Sequence, residues 1–243
     1  MTWHEVHVRY LLFDIDSTLI DTQRSGMLAM LDAGRELYGE GFTTDGVEYA
    51  GRLDPLIVND LLSAAGVGAS PFSIADFRAV YFAKLRLRLE VPGTAQMLPG
   101  VGGLLARLTD EPGVRLGLLT GNYEESGVMK LRACGIDPAL FEVRVWGDES
   151  PLWPPCRDHL PPVGIRRFAE RAGRLVDPAT VTIIGDTPHD VRCGLSNGCH
   201  VLAVATGRYS AEALRDAGAE LVMDDLSNTE RVAEFLLRRG TLR

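Results

Sequence analysis

The sequence contains very little lysine: Lys84 and Lys130 are its only two among 243 residues. Arginine supplies the rest of the positive charge, and we interpret the shortage of lysine as a compositional bias. The formal net charge is -8, and no block of basic residues is present. Nucleic acids and anionic membranes require clustered lysine and arginine, so both partners are excluded and a small-molecule partner is expected.

Cysteine is also scarce, and the four residues are scattered without a Cys-x-x-Cys pair: Cys134, Cys156, Cys193 and Cys199. This pattern argues against a zinc site and a disulfide framework, and is typical of reduced cytosolic thiols. Residues 1–9 carry neither a basic segment nor a long apolar run. We therefore expect no signal peptide and no membrane span, and we predict a cytoplasmic location.

The rest of the composition is that of an ordinary globular chain, with 46% hydrophobic and 24% charged residues. Its most informative stretch is the apolar run Tyr10–Phe13, at the end of a predicted central strand over residues 6–13, which is followed by Asp14 and Asp16. Two carboxylates one residue apart repel each other unless a cation lies between them. The simpler interpretation is that the two acids only end the strand and open a turn.

Helical spacing of apolar residues replaces the strand pattern from about residue 22. Three helices are predicted, the second opening with Asp54 as N-cap and Pro55 at the first helical position, and the third lying between Pro71 and Pro92. Residues 21–95 are therefore expected to form an all-helical insert.

Strand and helix patterns alternate after residue 96, with an irregular proline-rich segment at 151–162. The predicted strands are 114–119, 143–146, 181–184, 200–205 and 221–223. Such alternation predicts parallel strands with helices on both faces, which is a doubly wound, Rossmann-like α/β sheet.

Polar residues follow three of these strands, where ligands bind in an open parallel sheet. Asp14 and Asp16 follow the first, Thr120 and Asn122 another, and Asp186 with Asp190 a third. Each group taken alone could be a capped turn. Four carboxylates meeting in one crevice would instead require a hard divalent cation, and oxygen ligands suit magnesium.

These three stretches together resemble the haloacid dehalogenase (HAD) superfamily, and in particular phosphoglycolate-phosphatase-like members with a helical cap. The resemblance implies a core domain of residues 1–20 and 96–243 and a cap of residues 21–95. It implies that Asp14 is the nucleophile that accepts the phosphoryl group. Asp16 would be the general acid that protonates the leaving oxygen, and later the base for water.

The resemblance also implies how phosphate and metal are bound. Thr120 and the backbone of Gly121 and Asn122 would hold the substrate phosphate. Mg²⁺ would be bound by the carboxylates of Asp14 and Asp186 and by the main-chain carbonyl of Asp16, with Asp190 orienting these ligands.

One element of the family is missing, because phosphatases of this kind usually carry a lysine before the final acidic motif and this chain has none after Lys130. Arg157 is the best substitute, since it lies in the corresponding loop and its guanidinium suits phosphate. The alternative is a solvated loop arginine. We expect Lys130 to be an exposed helix residue.

The function implied is a magnesium-dependent phosphomonoester hydrolase acting on a small phosphorylated metabolite, as a monomer or homodimer. A sugar phosphomutase of the same superfamily and an inactive HAD-like binding protein remain alternatives. A 2-haloacid dehalogenase would lack Asp16. A phosphonoacetaldehyde hydrolase needs a cap lysine, for which Lys84 is the only candidate. A response-regulator receiver, which also carries acids at strand ends, has no helical insert.

Overall fold

The structure is a computed structural model that describes residues 8–237. Within this range six parallel strands form the central sheet in the order β5-β4-β1-β6-β7-β8. They are β1 (Arg9–Phe13), β4 (Val114–Leu119), β5 (Val143–Val145), β6 (Val181–Gly185), β7 (His200–Val204) and β8 (Leu221–Met223). The predicted doubly wound parallel α/β fold is confirmed.

Strand β1 lies in the middle of the sheet and is buried on both faces. Leu11 and Phe13 belong to one apolar cluster, while Tyr10 and Leu12 belong to another on the opposite face, because successive side chains of a strand alternate. From β1 the chain builds β4 and β5 on one side and then β6 to β8 on the other. A ligand crevice is expected at this change of direction, outside the carboxyl ends of the strands.

Helices cover both faces of the sheet. Helices α4 (Val101–Thr109) and α9 (Thr229–Leu237) contribute to the cluster around Leu11, whereas α6 (Leu160–Ala172) and α7 (Pro188–Ser196) contribute to the cluster around Leu12. The remaining two helices of this part are α5 (Glu124–Ala133) and α8 (Ala211–Asp216). No helix within the described range has the length and apolar character needed to span a membrane.

Three helices lie between the short strands at residues 20–21 and 96–97: α1 (Ser25–Tyr38), α2 (Asp54–Ala64) and α3 (Pro71–Leu89). They share an apolar core, to which α3 contributes Phe77, Tyr81 and Leu85 at four-residue spacing. Short antiparallel strands, β2 (Ile20–Asp21) and β3 (Gln96–Met97), pair where this helical insert leaves and rejoins the rest of the chain. The division into two domains at residues 20 and 96 stays a prediction.

Some predicted boundaries differ from the structure. Strand β1 begins at Arg9, and residues 6 and 7 of the predicted strand lie outside the described residues. The proline-rich segment is shorter than predicted, because α6 begins at Leu160 and takes Pro161 and Pro162 into its first turn. Proline is tolerated there since the first amides of a helix have no intrahelical acceptor.

Candidate active site

Polar residues from three strand ends meet at one cavity of about 680 Å³. Asp14 follows β1, Thr120 follows β4 and Asp186 follows β6, and all three side chains are buried. Asp16 and Asn122 line the same cavity, and the helical insert supplies its opposite wall. The parallel sheet therefore brings together residues that are up to 172 positions apart in the sequence.

Three carboxylates form the most charged part of this site. Oxygen atoms of Asp14, Asp186 and Asp190 all lie within 4.8 Å of one another. Burial raises the pKa of Asp14 to about 6, with Arg157 opposing and Asp190 and Asp16 adding to the rise. Burial likewise raises the pKa of Asp186 well above its ordinary value, and the charges of Asp190 and Asp14 raise it further.

Arg157 is the cation of this cluster. It begins a short 3-10 turn before α6 and is only 4% exposed. Its Nη2 lies 2.5 Å from Asp190 Oδ1 and 3.1 Å from Asp14 Oδ1. Burial lowers the pKa of Arg157, but Asp190 and Asp14 raise it by more, so the guanidinium is always charged. The alternative of a solvated loop arginine is wrong.

Asp190 is held by protein groups on both of its oxygens. Oδ1 pairs with Arg157, while Oδ2 accepts hydrogen bonds from the Thr187 backbone N–H at 3.1 Å and from Thr187 Oγ1 at 2.6 Å. Thr187 in turn accepts from the Asp190 N–H, which closes a capping box at the start of α7. Asp190 is therefore placed to orient Arg157 beside Asp14.

The donor set fits a hard divalent cation. Three buried carboxylates face one guanidinium, which leaves an excess of negative charge. Magnesium prefers oxygen ligands and keeps several waters, so the two carboxylates whose oxygens are less occupied, Asp14 and Asp186, suit it.

Lys130 lies inside the site, and the prediction that it is an exposed helix residue is wrong. The residue is 5% exposed, and its Nζ donates to Asp16 Oδ2 at 2.7 Å and to Asn122 Oδ1 at 2.6 Å. Burial lowers the pKa of Lys130, but Asp16 and Asp54 raise it by more, so the amine stays protonated. The four-residue spacing of Ser126 and Lys130 puts both on one face of α5, but the spacing alone does not show that this face is buried.

The turn after β4 is shaped by the helical insert. Thr120 Oγ1 accepts from Asn122 Nδ2 at 2.8 Å, and the Gly121 carbonyl accepts from the Asp54 N–H at 2.7 Å. A Cβ atom at Gly121 would lie 2.0 Å from the Arg52 carbonyl oxygen. Only glycine allows this close approach, so Gly121 serves the contact with the insert.

Asp54 joins the insert to α5, and the prediction that it caps α2 is wrong. Leu53 is the N-cap of α2, and Asp54 is its first residue. The Asp54 Oδ2 atom instead accepts from the Tyr123 N–H at 3.1 Å and from Ser126 Oγ at 3.2 Å, at the start of α5. No residue pattern near Asp54 indicates this contact, because its partners are 69 and 72 positions away.

The haloacid dehalogenase-like hydrolase family matches residues 11–194, and a HAD-hydrolase-like family matches residues 162–229. The chain belongs to the haloacid dehalogenase-like hydrolase family. It is 26% identical over 237 residues to "Probable phosphatase IndB" of Dickeya dadantii, covering 94% of both chains.

Solved structures that share the fold include the following two. One is a predicted phosphoglycolate phosphatase from Haemophilus somnus. It is 18% identical to this chain with a TM-score of 0.67, and the match covers 93% of this chain and 98% of that chain. CbbY from Rhodobacter sphaeroides, solved with xylulose-(1,5)bisphosphate, is 21% identical with a TM-score of 0.73, over 91% and 96% of the two chains.

Proposed function

We propose that the chain is a magnesium-dependent phosphomonoester hydrolase that acts on a small phosphorylated metabolite through an aspartyl phosphate at Asp14. The observation that carries this proposal is the placement of Asp14. Its carboxylate is buried at the end of the central strand, lies 3.1 Å from the Arg157 guanidinium, and lines a cavity large enough for a small metabolite. The phosphatase name of the Dickeya dadantii relative supports the same reaction.

The first half of the reaction uses Asp14 and Asp16. A carboxylate oxygen of Asp14 forms a bond to phosphorus, the bond from phosphorus to the leaving oxygen breaks, and Asp16 gives that oxygen a proton. In the second half water attacks phosphorus, Asp16 takes a proton from the water, and the bond between Asp14 and phosphorus breaks. Thr120 and the backbone of Gly121 and Asn122 would hold the phosphoryl oxygens.

Charge is the main obstacle to this chemistry. A pair of like charges about 4 Å apart costs on the order of 4 kcal/mol at an effective dielectric constant of about 20. Arg157 offsets part of this cost from inside the protein, in place of the usual lysine. Magnesium held by Asp14, Asp186 and the Asp16 main-chain carbonyl would neutralise the charge that remains.

The cavity also indicates the character of the leaving group. In residues 8–237 the buried side-chain polar atoms without a hydrogen-bond partner are Tyr49 Oη, Tyr81 Oη and Arg157 Nε, and all three residues line this cavity. Buried polar atoms are rarely left unpaired. Met30 and Ile57 form an apolar part of the same wall. A leaving group with hydroxyl groups on a short carbon skeleton would suit the unpaired polar atoms and the apolar part of the wall.

One alternative, a phosphonoacetaldehyde hydrolase, is disfavoured by the positions of both lysines. Lys84 pairs with Glu36 and is absent from the lining of the cavity, so it is not placed to form the Schiff base of a phosphonoacetaldehyde hydrolase. Lys130 lines the cavity but is held as an ammonium by Asp16 and Asn122. The four free cysteines agree with the proposed cytoplasmic location.

The test is a phosphate-release screen over a panel of phosphorylated metabolites, with and without Mg²⁺, using the wild-type chain and Asp14→Asn. We expect release that requires Mg²⁺ and is lost in the variant. A phosphomutase would instead isomerise a sugar phosphate with little net release. Equal release by Asp14→Asn, or no turnover by the wild-type chain on any compound, would refute the proposal.

A further inference from the structure

Lys130 occupies an unusual place for a lysine, between two groups of the site and shielded from water. Its ammonium bonds to Asp16 Oδ2 and Asn122 Oδ1, and both partners lie at strand ends that the fold brings together. Buried lysines are rare unless paired. The side chain extends from α5 to the cavity, where the amine loses most of its hydration.

Both hydrogen bonds to the Asp16 carboxylate go to the same oxygen atom. Lys130 Nζ at 2.7 Å and Asn122 Nδ2 at 2.8 Å both donate to Oδ2. The side chain of Asp16 is 40% exposed and lines the cavity, so Oδ1 is the oxygen left for a ligand. Two donors bound to the same oxygen restrict the rotation of the carboxyl group.

Lys130 also fixes Asn122 and contacts the insert. Asn122 Oδ1 accepts from Lys130, which sets the direction of the amide, so that Nδ2 reaches both Asp16 and Thr120. A Cβ atom at Gly26, in the first turn of α1, would lie 3.2 Å from Nζ. The helical insert therefore covers the amine, which leaves the Lys130 side chain 6% exposed.

We infer that Lys130 is a positioning residue for the acid–base group: it holds Asp16 Oδ2 so that proton transfer to and from the substrate takes place at Oδ1. The inference rests on the proposed function of Asp16. Lys130 itself transfers no proton and forms no bond to the substrate. Removing its amine should let the Asp16 carboxyl group rotate and should weaken the help given to the leaving oxygen.

The kinetic test compares Lys130→Met with wild type on an aryl phosphate, p-nitrophenyl phosphate, and an alkyl phosphate found in the screen. Aryl leaving groups need little protonation, so we expect a kcat loss of about 10- to 100-fold on the alkyl substrate and a much smaller loss on the aryl one. Lys84→Met removes the only other lysine, on the insert surface, and should leave both rates unchanged.

A double-mutant cycle separates positioning from general damage. Once Asp16 is replaced by Asn there is no proton donor to position, so adding Lys130→Met should cost little more on the alkyl substrate. Equal losses on the two substrates, or a full additional loss in the Asp16→Asn background, would overturn the inference and leave Lys130 with a structural role.

A second measurement needs no activity and no Lys130 variant. With only two lysines in the chain, NMR of lysine-labelled protein gives two side-chain ammonium signals, which Lys84→Met assigns. We expect Asp16→Asn to shift the Lys130 signal and leave that of Lys84 in place. An unshifted Lys130 signal would overturn the contact itself. A wild-type chain without phosphatase activity whose Lys130 signal does shift would refute the proposed function and retain the contact.

Discussion

Replacing Asp54 by asparagine should change the free energy of unfolding in a way that depends on pH. The variant's free energy of unfolding, compared with that of wild type, should increase as the pH rises from acid to neutral. The Asp54 carboxyl is 7% exposed and accepts hydrogen bonds from the Tyr123 N–H and Ser126 Oγ. Burial raises its pKa to about 6, although Lys130 and the two hydrogen bonds act in the opposite direction. Asparagine keeps an oxygen that can accept both hydrogen bonds but carries no charge.

The magnitude follows from the pKa. The carboxyl is neutral in both folded and unfolded chains well below pH 3.8, and above about pH 6 it is ionised in both. Because the folded pKa is the higher one, its stabilising contribution is present at low pH and is lost as the pH rises through about 6. A rise from 3.8 to about 6 corresponds to about 3 kcal/mol of unfolding free energy.

Urea unfolding of wild type and Asp54→Asn at about pH 4 and about pH 8 measures this effect. The difference in unfolding free energy, variant minus wild type, should increase by about 2.5 kcal/mol between the two pH values, because at pH 4 the unfolded carboxyl is already partly ionised. Asp60→Asn removes a charge from the exposed side of the same helix and should not reproduce the increase. A difference that is constant with pH, or that decreases, would refute the reasoning.

Substitutions at three further residues test the site. Asp14→Asn should abolish phosphate release while circular dichroism and urea unfolding show an intact fold; release near the wild-type rate would contradict its role. Asp16→Asn should lower kcat by roughly 100- to 10,000-fold on alkyl phosphates and less on aryl phosphates, and equal losses would argue against it as the acid. Arg157→Ala should reduce kcat and phosphate affinity and destabilise the fold by about 3–5 kcal/mol, since Asp14 and Asp190 lose their buried partner. Arg157→Lys should recover part of the activity and part of the stability. Wild-type kinetics for Arg157→Ala would show that the cation comes from elsewhere.

The main sheet and its strand ends were predictable because their signals are local. Each buried strand is a short apolar run, and the polar residue that follows it marks its carboxyl end, as at Asp14, Thr120 and Asp186. In a parallel sheet those ends lie on one edge, so the meeting of these residues follows from the topology alone. The position of its loop suggested that Arg157 lies near the site, and the structure shows that its guanidinium contacts Asp14 and Asp190.

Lys130 and Asp54 were missed for the opposite reason. A lysine in a helix is usually solvated, and only the packing of α5 beside Asp16 and under Gly26 makes Lys130 an inner residue. Asp54 carries the sequence signature of a helix N-cap, but its carboxylate contacts Ser126 on another helix. The contacts of Lys130 and Asp54 both depend on how the helical insert packs against the rest of the protein. The spacing of residues within either segment does not indicate that packing.

The central claim is that Asp14 receives the phosphoryl group. The most direct measurement is to quench a turnover reaction with p-nitrophenyl phosphate and Mg²⁺, reduce the protein with borohydride, and identify residue 14 by mass spectrometry. An acyl phosphate is reduced to an alcohol, so the account predicts homoserine at position 14, and only when substrate is present. Aspartate at position 14 in every turning-over sample, with homoserine absent or found at another aspartate, would contradict it.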